Sequence, residues 1–258
     1  MQLIGVRTKL IKAEDDLLSI ILEALTEQKL KIEDGDVLAI ASKAVATAQN
    51  RLKRLSSVKP SEKAKKLARK YDLEPSFVEI VLYEAERVYV GVSKALLTLK
   101  DHIFTANSGV DNKNSPHGYV ALWPKSPFRT AEKIRKEILA RTGKRVGVLI
   151  VDSRVTPLRM GTTGLALAVA GFEPVRDCRV NKDLYGNVIS ITRHALADDL
   201  ASAAHLIMGE TDEQMPVVLI KHAPVILTDK VKSSSVVISE EQCLFAKHIM
   251  QKAFREFL

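Results

Sequence analysis

Apolar and polar residues alternate with two different periods near the start of the chain, which predicts strands and helices that follow one another. Residues 2–7 and 36–48 are expected to be strands. Between them, residues 15–25 carry apolar side chains at helical spacing behind Asp15 and Asp16, and acidic residues favour a helix N-terminus. Asp34 and Gly35 then predict a turn before the second strand.

The next part of the chain is expected to mix helices with extended segments. Residues 61–71 and 76–85 are predicted helices that follow Pro60 and Pro75, since proline suits the first turn of a helix. Residues 87–106 predict extended segments joined by a turn.

A turn-rich loop and a basic helix precede the most apolar segment of the chain. The loop is too long to be a simple connection, and its turn formers are Pro116, Gly118, Pro124 and Pro127. Thr130 is predicted to cap a helix that runs to about Arg141. Residues 145–152 form a nearly continuous apolar run, which is typical of a fully buried strand and would place Asp152 at the strand's exit.

The C-terminal third predicts a long amphipathic helix over residues 193–208, a strand over 216–221 and a closing helix over 239–258 that starts at Ser239. Together these elements predict an α/β (α+β) fold with mixed sheets and flanking helices. A turn at residues 183–186 begins a new unit, so we expect a main unit over residues 1–180 and a smaller one over 181–258.

Composition places the chain among soluble globular proteins. It has 258 residues, of which 46% are hydrophobic and 27% charged. No apolar run approaches the roughly 20 residues of a membrane-spanning helix. The N-terminus shows no leader pattern, and the two cysteines, Cys178 and Cys243, form no CxxC pair. We therefore expect a cytoplasmic protein without a membrane contact.

The net charge of +8 favours an anionic partner. Basic residues concentrate in residues 51–70 and 125–145, where they form either solvated helix faces or a nucleic-acid interface. Aromatic residues make up only 5% of the chain, and the basic runs lack the interleaved rings that stack on bases. This disfavours a nucleic-acid-binding protein, which stays open as a third hypothesis.

Several polar residues at predicted element ends are candidates for chemistry. Asp111, Asp152, Ser153 and Glu210 offer the hard oxygen ligands that Mg²⁺ and Mn²⁺ prefer, although Asp and Glu also occur there as turn formers. Ser42 and Lys43 follow an apolar strand and either bind a phosphate or are ordinary surface residues.

Two other features have open interpretations. Arg159, in the sequence RMGTTG, either binds a carboxylate or phosphate or belongs to a tight turn before an apolar helix. The six histidines show neither HExxH nor HxH spacing, so we interpret them as structural; His194 is the one nearest a candidate site.

Ordered motifs along nearly the whole chain give it a specific resemblance. They are residues 35–43 (GDVLAIASK), 106–114 with a Gly-Val-Asp core, 147–153 (GVLIVDS), 183–186 (DLYG) and 197–210. In these the chain resembles the coenzyme F420-0:L-glutamate ligase family. The resemblance implies a GTP-dependent amide ligase with a fold that is neither Rossmann nor P-loop, assembled as an intertwined homodimer. No GxGxxG or Walker sequence follows any predicted strand, which agrees with this expectation.

The resemblance also implies roles for individual residues. GTP is the implied co-substrate, two Mn²⁺ or Mg²⁺ ions are the implied metals, and K⁺ is a further candidate ion. The implied metal ligands are Asp111, Asp152, Ser153 and Glu210. The implied nucleotide contacts are Leu10, Ile11, Lys12, Ser42, Lys43, Asn114, Met208, Gly209, Glu210 and Thr211. Lys43, Asp111 and Asp152 are the catalytic candidates, and Arg159 is the candidate substrate contact.

Departures from the family pattern lie away from the implied metal positions. Ser153 replaces the usual threonine and keeps its hydroxyl. Residue types that depart from the family pattern occur at 49–51, 155–159, 166–168 and 179–180. Two acceptors therefore remain open for the expected glutamate ligation, a deazaflavin precursor of coenzyme F420 or a pterin-like carboxylate such as folate.

Overall fold

The structure, a computed structural model, describes residues 1–246, and these divide into two compact units. Unit 1 comprises Met1–Gln49, Pro124–Ser153 and Thr162–Val236, and unit 2 comprises Asn50–Trp123, Arg154–Gly161 and the chain from Val237. The sequence-based boundary near residue 180 is a different division of the chain, and it stays a prediction.

The described residues form six α-helices and twelve strands. The helices are α1 Leu17–Glu27, α2 Ser42–Ala48, α3 Glu62–Tyr71, α4 Pro75–Glu84, α5 Pro127–Thr142 and α6 Leu196–Met208. The strands are β1 Gln2–Val6, β2 Val37–Ala41, β3 Leu52–Arg54, β4 Arg87–Val92, β5 Ala95–Lys100, β6 Ile103–Ala106, β7 Tyr119–Ala121, β8 Gly147–Val155, β9 Thr162–Ala170, β10 Arg176–Asp177, β11 Arg193–His194 and β12 Val217–Lys221. The predicted mixture of sheets and flanking helices is confirmed.

Unit 1 is built on a five-stranded mixed sheet of order β1-β12-β2-β8-β9. Strands β2 and β8 are parallel, with Ala41 opposite Val151, whereas β12 runs antiparallel to both β1 and β2. Since β8 and β9 are neighbours joined only by residues 156–161, they form a hairpin and run antiparallel. The chain therefore leaves β1, β2 and β8 at the same end of the sheet.

Alternate side chains of the central strands pack against helix α6. Val37, Leu149 and Val218 are fully buried from solvent in a core with Leu200 and Ala204 of the helix. The residues between them, such as Leu38, Ile40, Val148, Ile150 and Leu219, are also fully buried. Both faces of the sheet are thus covered, as the continuous apolar run in β8 predicts.

A glycine allows α6 to lie close against β9. A Cβ atom on Gly164 would come within 2.3 Å of the Ala201 carbonyl oxygen. Asp198 in the first turn of α6 accepts a hydrogen bond from the Ala166 backbone N–H at 2.9 Å. These two contacts fix the helix on the strand.

Three predicted elements near the site are corrected by the structure. Residues 42–48 are helix α2 rather than a continuation of strand β2, whose pairing with β8 ends at Ala41. The stretch 162–170 is strand β9 rather than an apolar helix. Helix α6 begins at Leu196, because Arg193 and His194 pair with β10 instead.

Two predicted helix starts are also wrong. Ser126 occupies the N-cap position of α5, and Thr130 lies inside the helix, where its hydroxyl donates to the Lys125 carbonyl oxygen. Residues 239–245 form turns, so Ser239 does not begin a helix, and the rest of that predicted helix lies largely outside the described residues. By contrast, Asp16 and Ser61 cap α1 and α3 as their sequence context indicates.

Unit 2 contains a three-stranded antiparallel sheet, β4-β5-β6, and the short β3-β7 pair. Helices α3 and α4 pack their apolar faces into a core with Leu96, Val110 and Val120. The basic residues of α3 lie on the opposite side, where Lys63, Lys66 and Arg69 are exposed. The exposed basic face is compatible with either interpretation of that charge run, so both stay predictions. No helix within residues 1–246 has the length and apolar character required to cross a bilayer.

Candidate functional site

The site is assembled at the end of the unit 1 sheet where its two parallel strands finish. Strand β2 ends at Ala41 and continues directly into Ser42 and Lys43, while β8 passes beyond its β2 partner at Val151. Asp152 is therefore the first residue of β8 beyond the paired register. In open α/β sheets, ligands bind outside the carboxyl ends of parallel strands, so this edge is where chemistry is expected.

The two antiparallel strands bring further predicted residues to the same edge. Strand β12 begins opposite Ile40, and the Ala41 N–H donates to the Pro216 carbonyl oxygen at 2.8 Å, so the segment after α6 arrives here. Strand β1 ends opposite the start of β12, and Gln214 donates to the Thr8 carbonyl oxygen at 2.9 Å. The strand order thus brings four predicted segments that are far apart in sequence toward the same end of the sheet, namely 10–12, 42–43, 152–153 and 208–211.

Asp152 and Ser153 form a local acidic and hydroxyl pair on β8. The Ser153 N–H donates to Asp152 Oδ1 at 2.8 Å, and both residues are partly exposed. The prediction that the strand ends at Asp152 is wrong, since β8 continues to Val155 through its pairing with β9. The carboxylate still lies beyond the end of β2, where it is accessible.

Ser42 and Lys43 occupy the first turn of α2. The Ser42 residue is buried, with 6% of its surface exposed, whereas Lys43 is partly exposed. The strand passes into the helix without a glycine, because Ala41 has extended backbone angles and serves as the N-cap. Lys43 thus lies one residue into the helix that follows β2, and its phosphate contact stays a prediction.

Glu210 is held by two side chains that the sequence did not single out. The Thr162 hydroxyl donates to Glu210 Oε1 at 2.6 Å, and His205 Nε2 lies 2.9 Å from the same oxygen. Thr162 starts β9, while His205 lies in the last turn of α6. His194, the histidine expected to be nearest a site, instead contacts Asp199 at 2.6 Å. In the sequence, the contact between His205 and Glu210 is indicated by their five-residue spacing across the end of α6.

The chain after α6 is shaped by Gly209 and Glu213. Met208 is buried, and Gly209 has a φ of 73°, which ends the helix and turns the backbone toward Glu210. The Thr211 N–H donates to Glu213 Oε2 at 2.8 Å. The backbone N–H of Glu213 itself and that of Thr211 hold the pKa of the Glu213 carboxyl below its usual range. This loop therefore carries negative charge at neutral pH.

The predicted nucleotide contacts near the N-terminus lie in an irregular segment. Leu10 is 72% exposed, Ile11 is partly buried, and the Lys12 N–H donates to Asp15 Oδ2 at 2.7 Å. The Glu14 N–H bonds the Ala48 carbonyl oxygen at 3.1 Å, which ties the segment to the end of α2.

Asp111 and Asn114 belong to unit 2. Asp111 exchanges two backbone hydrogen bonds with Ala121, at 3.0 and 2.7 Å, and its Oδ1 accepts from the Lys113 N–H at 2.9 Å. Asn114 has a φ of 50°, a left-handed conformation that asparagine tolerates well. The segment is a tight, hydrogen-bonded loop on the edge of the β3-β7 pair, and the metal and nucleotide roles of these residues stay predictions.

Arg159 also belongs to unit 2, in the loop that connects β8 to β9. Its backbone N–H bonds the Thr156 carbonyl oxygen at 3.2 Å, and its neighbours Leu158 and Met160 are fully exposed. The loop thus has the tight turn that the sequence left open, but it precedes a strand. The substrate contact of Arg159 stays a prediction.

The oxygen ligands in unit 1 fit a hard divalent cation by their chemistry, since Asp152 and Glu210 supply carboxylates and Ser153 a hydroxyl. Within residues 1–246, no three His, Cys, Asp or Glu side chains converge on one point. Hydroxyl and carbonyl oxygens, together with oxygens of a bound substrate, are the further ligands that such ions accept.

The chain was compared with known proteins. The family model described as F420-0:Gamma-glutamyl ligase matches residues 5–222. The chain is 43% identical over 195 residues to the coenzyme F420:L-glutamate ligase of Methanocaldococcus jannaschii, covering 75% of this chain and 78% of that protein. It is 39% identical over 212 residues to the ligase of the same name from Methanopyrus kandleri, covering 82% of each.

The corresponding protein of Archaeoglobus fulgidus is 37% identical over 212 residues, with 82% of this chain and 83% of that protein covered. The residues matched by the family model include segments 10–12, 42–43, 152–153 and 208–211. Because the family model spans most of the chain and the relatives align over most of their length, the chain belongs to the F420-0:gamma-glutamyl ligase family.

Proposed function

We propose that this protein is a GTP- and divalent-metal-dependent ligase that joins L-glutamate to a coenzyme F420 precursor through a γ-linked amide. The observation that carries the proposal is that the strand order places Ser42–Lys43, Asp152–Ser153 and Glu210 toward the same end of one sheet, in a chain of this family. The nucleotide site needs neither a Rossmann nor a P-loop turn, since β2 passes into α2 without a glycine-rich loop.

The reaction requires an activated carboxyl group, because oxide is too poor a leaving group for an amine to displace. The acceptor carboxylate attacks the γ-phosphorus of GTP, GDP leaves, and an acyl phosphate forms. The glutamate amine then attacks the acyl carbon, loses a proton, and displaces inorganic phosphate. Lys43 supplies a positive charge to the phosphates at the strand edge. Divalent ions, when bound, would supply further charge neutralisation, and Asp152, Ser153 and Glu210 are the unit 1 residues that would hold them.

The acceptor is expected to be the deazaflavin precursor. The altered residues 166–168 do not argue for another acceptor, because Ala166, Leu167 and Ala168 are buried within β9. The altered loop 155–159 is exposed and keeps Arg159, which suits contact with an anionic acceptor.

Purified protein incubated with GTP, Mn²⁺, glutamate and the deazaflavin precursor should yield a product heavier by one or more glutamyl units, detected by mass spectrometry. Folate and an RNA oligonucleotide serve as comparison partners for the two other hypotheses. Absence of a glutamylated product with every nucleotide and metal would refute the ligase assignment, and GTP-dependent phosphate release with folate alone would move it to another acceptor.

A homodimer is the second part of the proposal. Residues 178–192 of unit 1 form an extended hairpin, held by backbone bonds such as Val180 N–H to the Ile189 carbonyl oxygen at 3.0 Å. This hairpin exposes large apolar side chains, which are Val180, Leu184, Tyr185, Val188 and Ile191. Such an apolar arm is costly in water unless a partner covers it.

Light scattering coupled to size-exclusion chromatography is expected to give twice the mass of the 28.5 kDa chain. Tyr185→Asp should shift the protein toward the monomer, because a carboxylate in an apolar interface is not solvated. An exposed charge swap outside the hairpin, Lys63→Glu on helix α3, is the control and should leave the mass unchanged. A monomeric parent protein would contradict the expectation.

A further inference from the structure

His205 is a side chain near the proposed metal site to which the ligase chemistry assigns no role. Its side chain is only 15% exposed, and its Nε2 lies 2.9 Å from Oε1 of Glu210. Thr162 donates its hydroxyl hydrogen to the same oxygen at 2.6 Å. One carboxylate oxygen is therefore contacted from a helix and from a strand at once.

The backbone around this contact is fixed independently of it. The Gly209 N–H bonds the His205 carbonyl oxygen at 3.0 Å, so the last turn of α6 is closed. Gly209 has a φ of 73°, which returns the chain toward the helix and brings Glu210 beside the imidazole ring. Thr162 is fixed as the first residue of β9, against which α6 is packed. The Glu210 carboxylate is thus held between two rigid elements.

The chemistry of the contact assigns the donor. An ionised carboxylate only accepts hydrogen bonds, so His205 donates through Nε2–H. Two donors on Oε1 fix the rotation of the carboxylate group about its last torsion, which sets where its second oxygen points. Residues that hydrogen-bond a ligating carboxylate commonly control metal affinity in this way.

We propose that His205 is a positioning residue that orients Glu210 for the divalent ion. The inference rests on the proposed function, because it takes Glu210 to be a metal ligand. A competing role is purely structural, since His205 lies in the last turn of α6, where a polar side chain can interact with the helix terminus.

The same helix provides a matched control. Asp199 in its first turn has Oδ2 2.6 Å from Nε2 of His194, which lies in β11 just before the helix, a histidine–carboxylate contact of the same kind. This pair is more exposed, at 49% and 64%, and Asp199 is not among the proposed ligands. His194→Phe removes the same type of hydrogen bond from a carboxylate of the same helix.

The test measures Mn²⁺ binding to the full chain without substrates, by the electron paramagnetic resonance signal of unbound Mn²⁺. His205→Phe keeps a ring of similar size but loses the donor, and it should weaken Mn²⁺ binding about 10- to 100-fold. His205→Gln places an amide N–H near the former Nε2 position and should retain most of the affinity. His194→Phe should bind Mn²⁺ like the parent protein. Thermal unfolding without metal is measured for each variant to separate folding from binding.

Three results would overturn the inference. Parent-like Mn²⁺ binding by His205→Phe would exclude a positioning role, as would equal losses in His205→Phe and His205→Gln, or an equal loss in His194→Phe. Glu210→Gln is measured in parallel to separate this inference from its premise. Parent-like binding by Glu210→Gln would remove Glu210 from the metal site and so overturn both the ligand assignment and the role of His205, while ligation, assayed independently, would still stand.

Discussion

Replacing Asp152 by asparagine is expected to abolish ligation while leaving the fold nearly intact. The substitution removes a negative charge from the sheet edge where a divalent ion and GTP are proposed to bind, so affinity for both should fall together. Charge stabilisation by metals supplies several kcal/mol in phosphoryl transfer, so the loss in kcat/KM should be at least about 100-fold. The asparagine carbonyl oxygen can still accept the Ser153 N–H that Asp152 Oδ1 accepts at 2.8 Å, so strand β8 should persist.

Asp72→Asn is the matched control for this substitution. Asp72 is an exposed carboxylate that ends helix α3 in a left-handed conformation, with a φ of 53°. Asparagine serves such positions about as well as aspartate, so activity and stability should both be retained. Measured steady-state rates at several Mn²⁺ concentrations distinguish the two cases. Full activity in Asp152→Asn with unchanged Mn²⁺ dependence would show that Asp152 is not a ligand of the divalent ion.

The sequence predicts the central strands well because their burial leaves a continuous apolar pattern. Strands β8 and β12 have almost no polar residue until their ends, and the structure buries both faces of each. The same reasoning misplaces residues 42–48, where alanine and valine continue the apolar run into helix α2. Apolar periodicity cannot separate a short buried strand from a short buried helix. Residues 42–48 are helix rather than strand, and the pairing of β2 with β8 ends at Ala41.

The sequence suggests the candidate site residues but not how they are arranged in space. Segments 42–43, 152–153 and 208–211 are candidates because polar groups follow apolar runs there. The strand order, which the sequence does not give, places them toward the same end of the sheet. Thr162 and His205 carried no such signal. The Thr162 contact with Glu210 depends on the close packing of α6 on β9 at Gly164, which no local pattern discloses, whereas the His205 contact is made across the Gly209 turn.

Gly109→Ala is expected to be the most destabilising single-methyl change in unit 2. Asn107, Ser108 and Gly109 all have positive φ angles, of 53°, 55° and 69°, in the turn that leads to Asp111. An added Cβ at Gly109 would lie 2.1 Å from the indole Nε1 of Trp123, which is 2% exposed and has no open space to enter. Backbone strain and overpacking each cost about 1–3 kcal/mol, so a combined loss of about 3 kcal/mol or more is expected.

The turn is also held from its other side, so it cannot relax away from Trp123. The Ser108 N–H donates to the Thr98 hydroxyl at 2.8 Å, and the Asn107 side chain accepts the Leu96 N–H at 2.8 Å. A displaced turn would therefore break buried hydrogen bonds and move Asp111, which is two residues away. We expect ligation to fall along with stability.

Gly118→Ala isolates the contribution of the clash. Gly118 also lies in unit 2 and has a φ of 79°, but a Cβ there would meet no atom within 4 Å. Gly118→Ala should lower the unfolding free energy only by the strain of an alanine in the left-handed backbone region, about 1 kcal/mol. Urea denaturation of both variants gives the difference in unfolding free energy. Equal losses for Gly109→Ala and Gly118→Ala would mean that Trp123 yields to the added methyl group, and that the turn before Asp111 is not held by close packing.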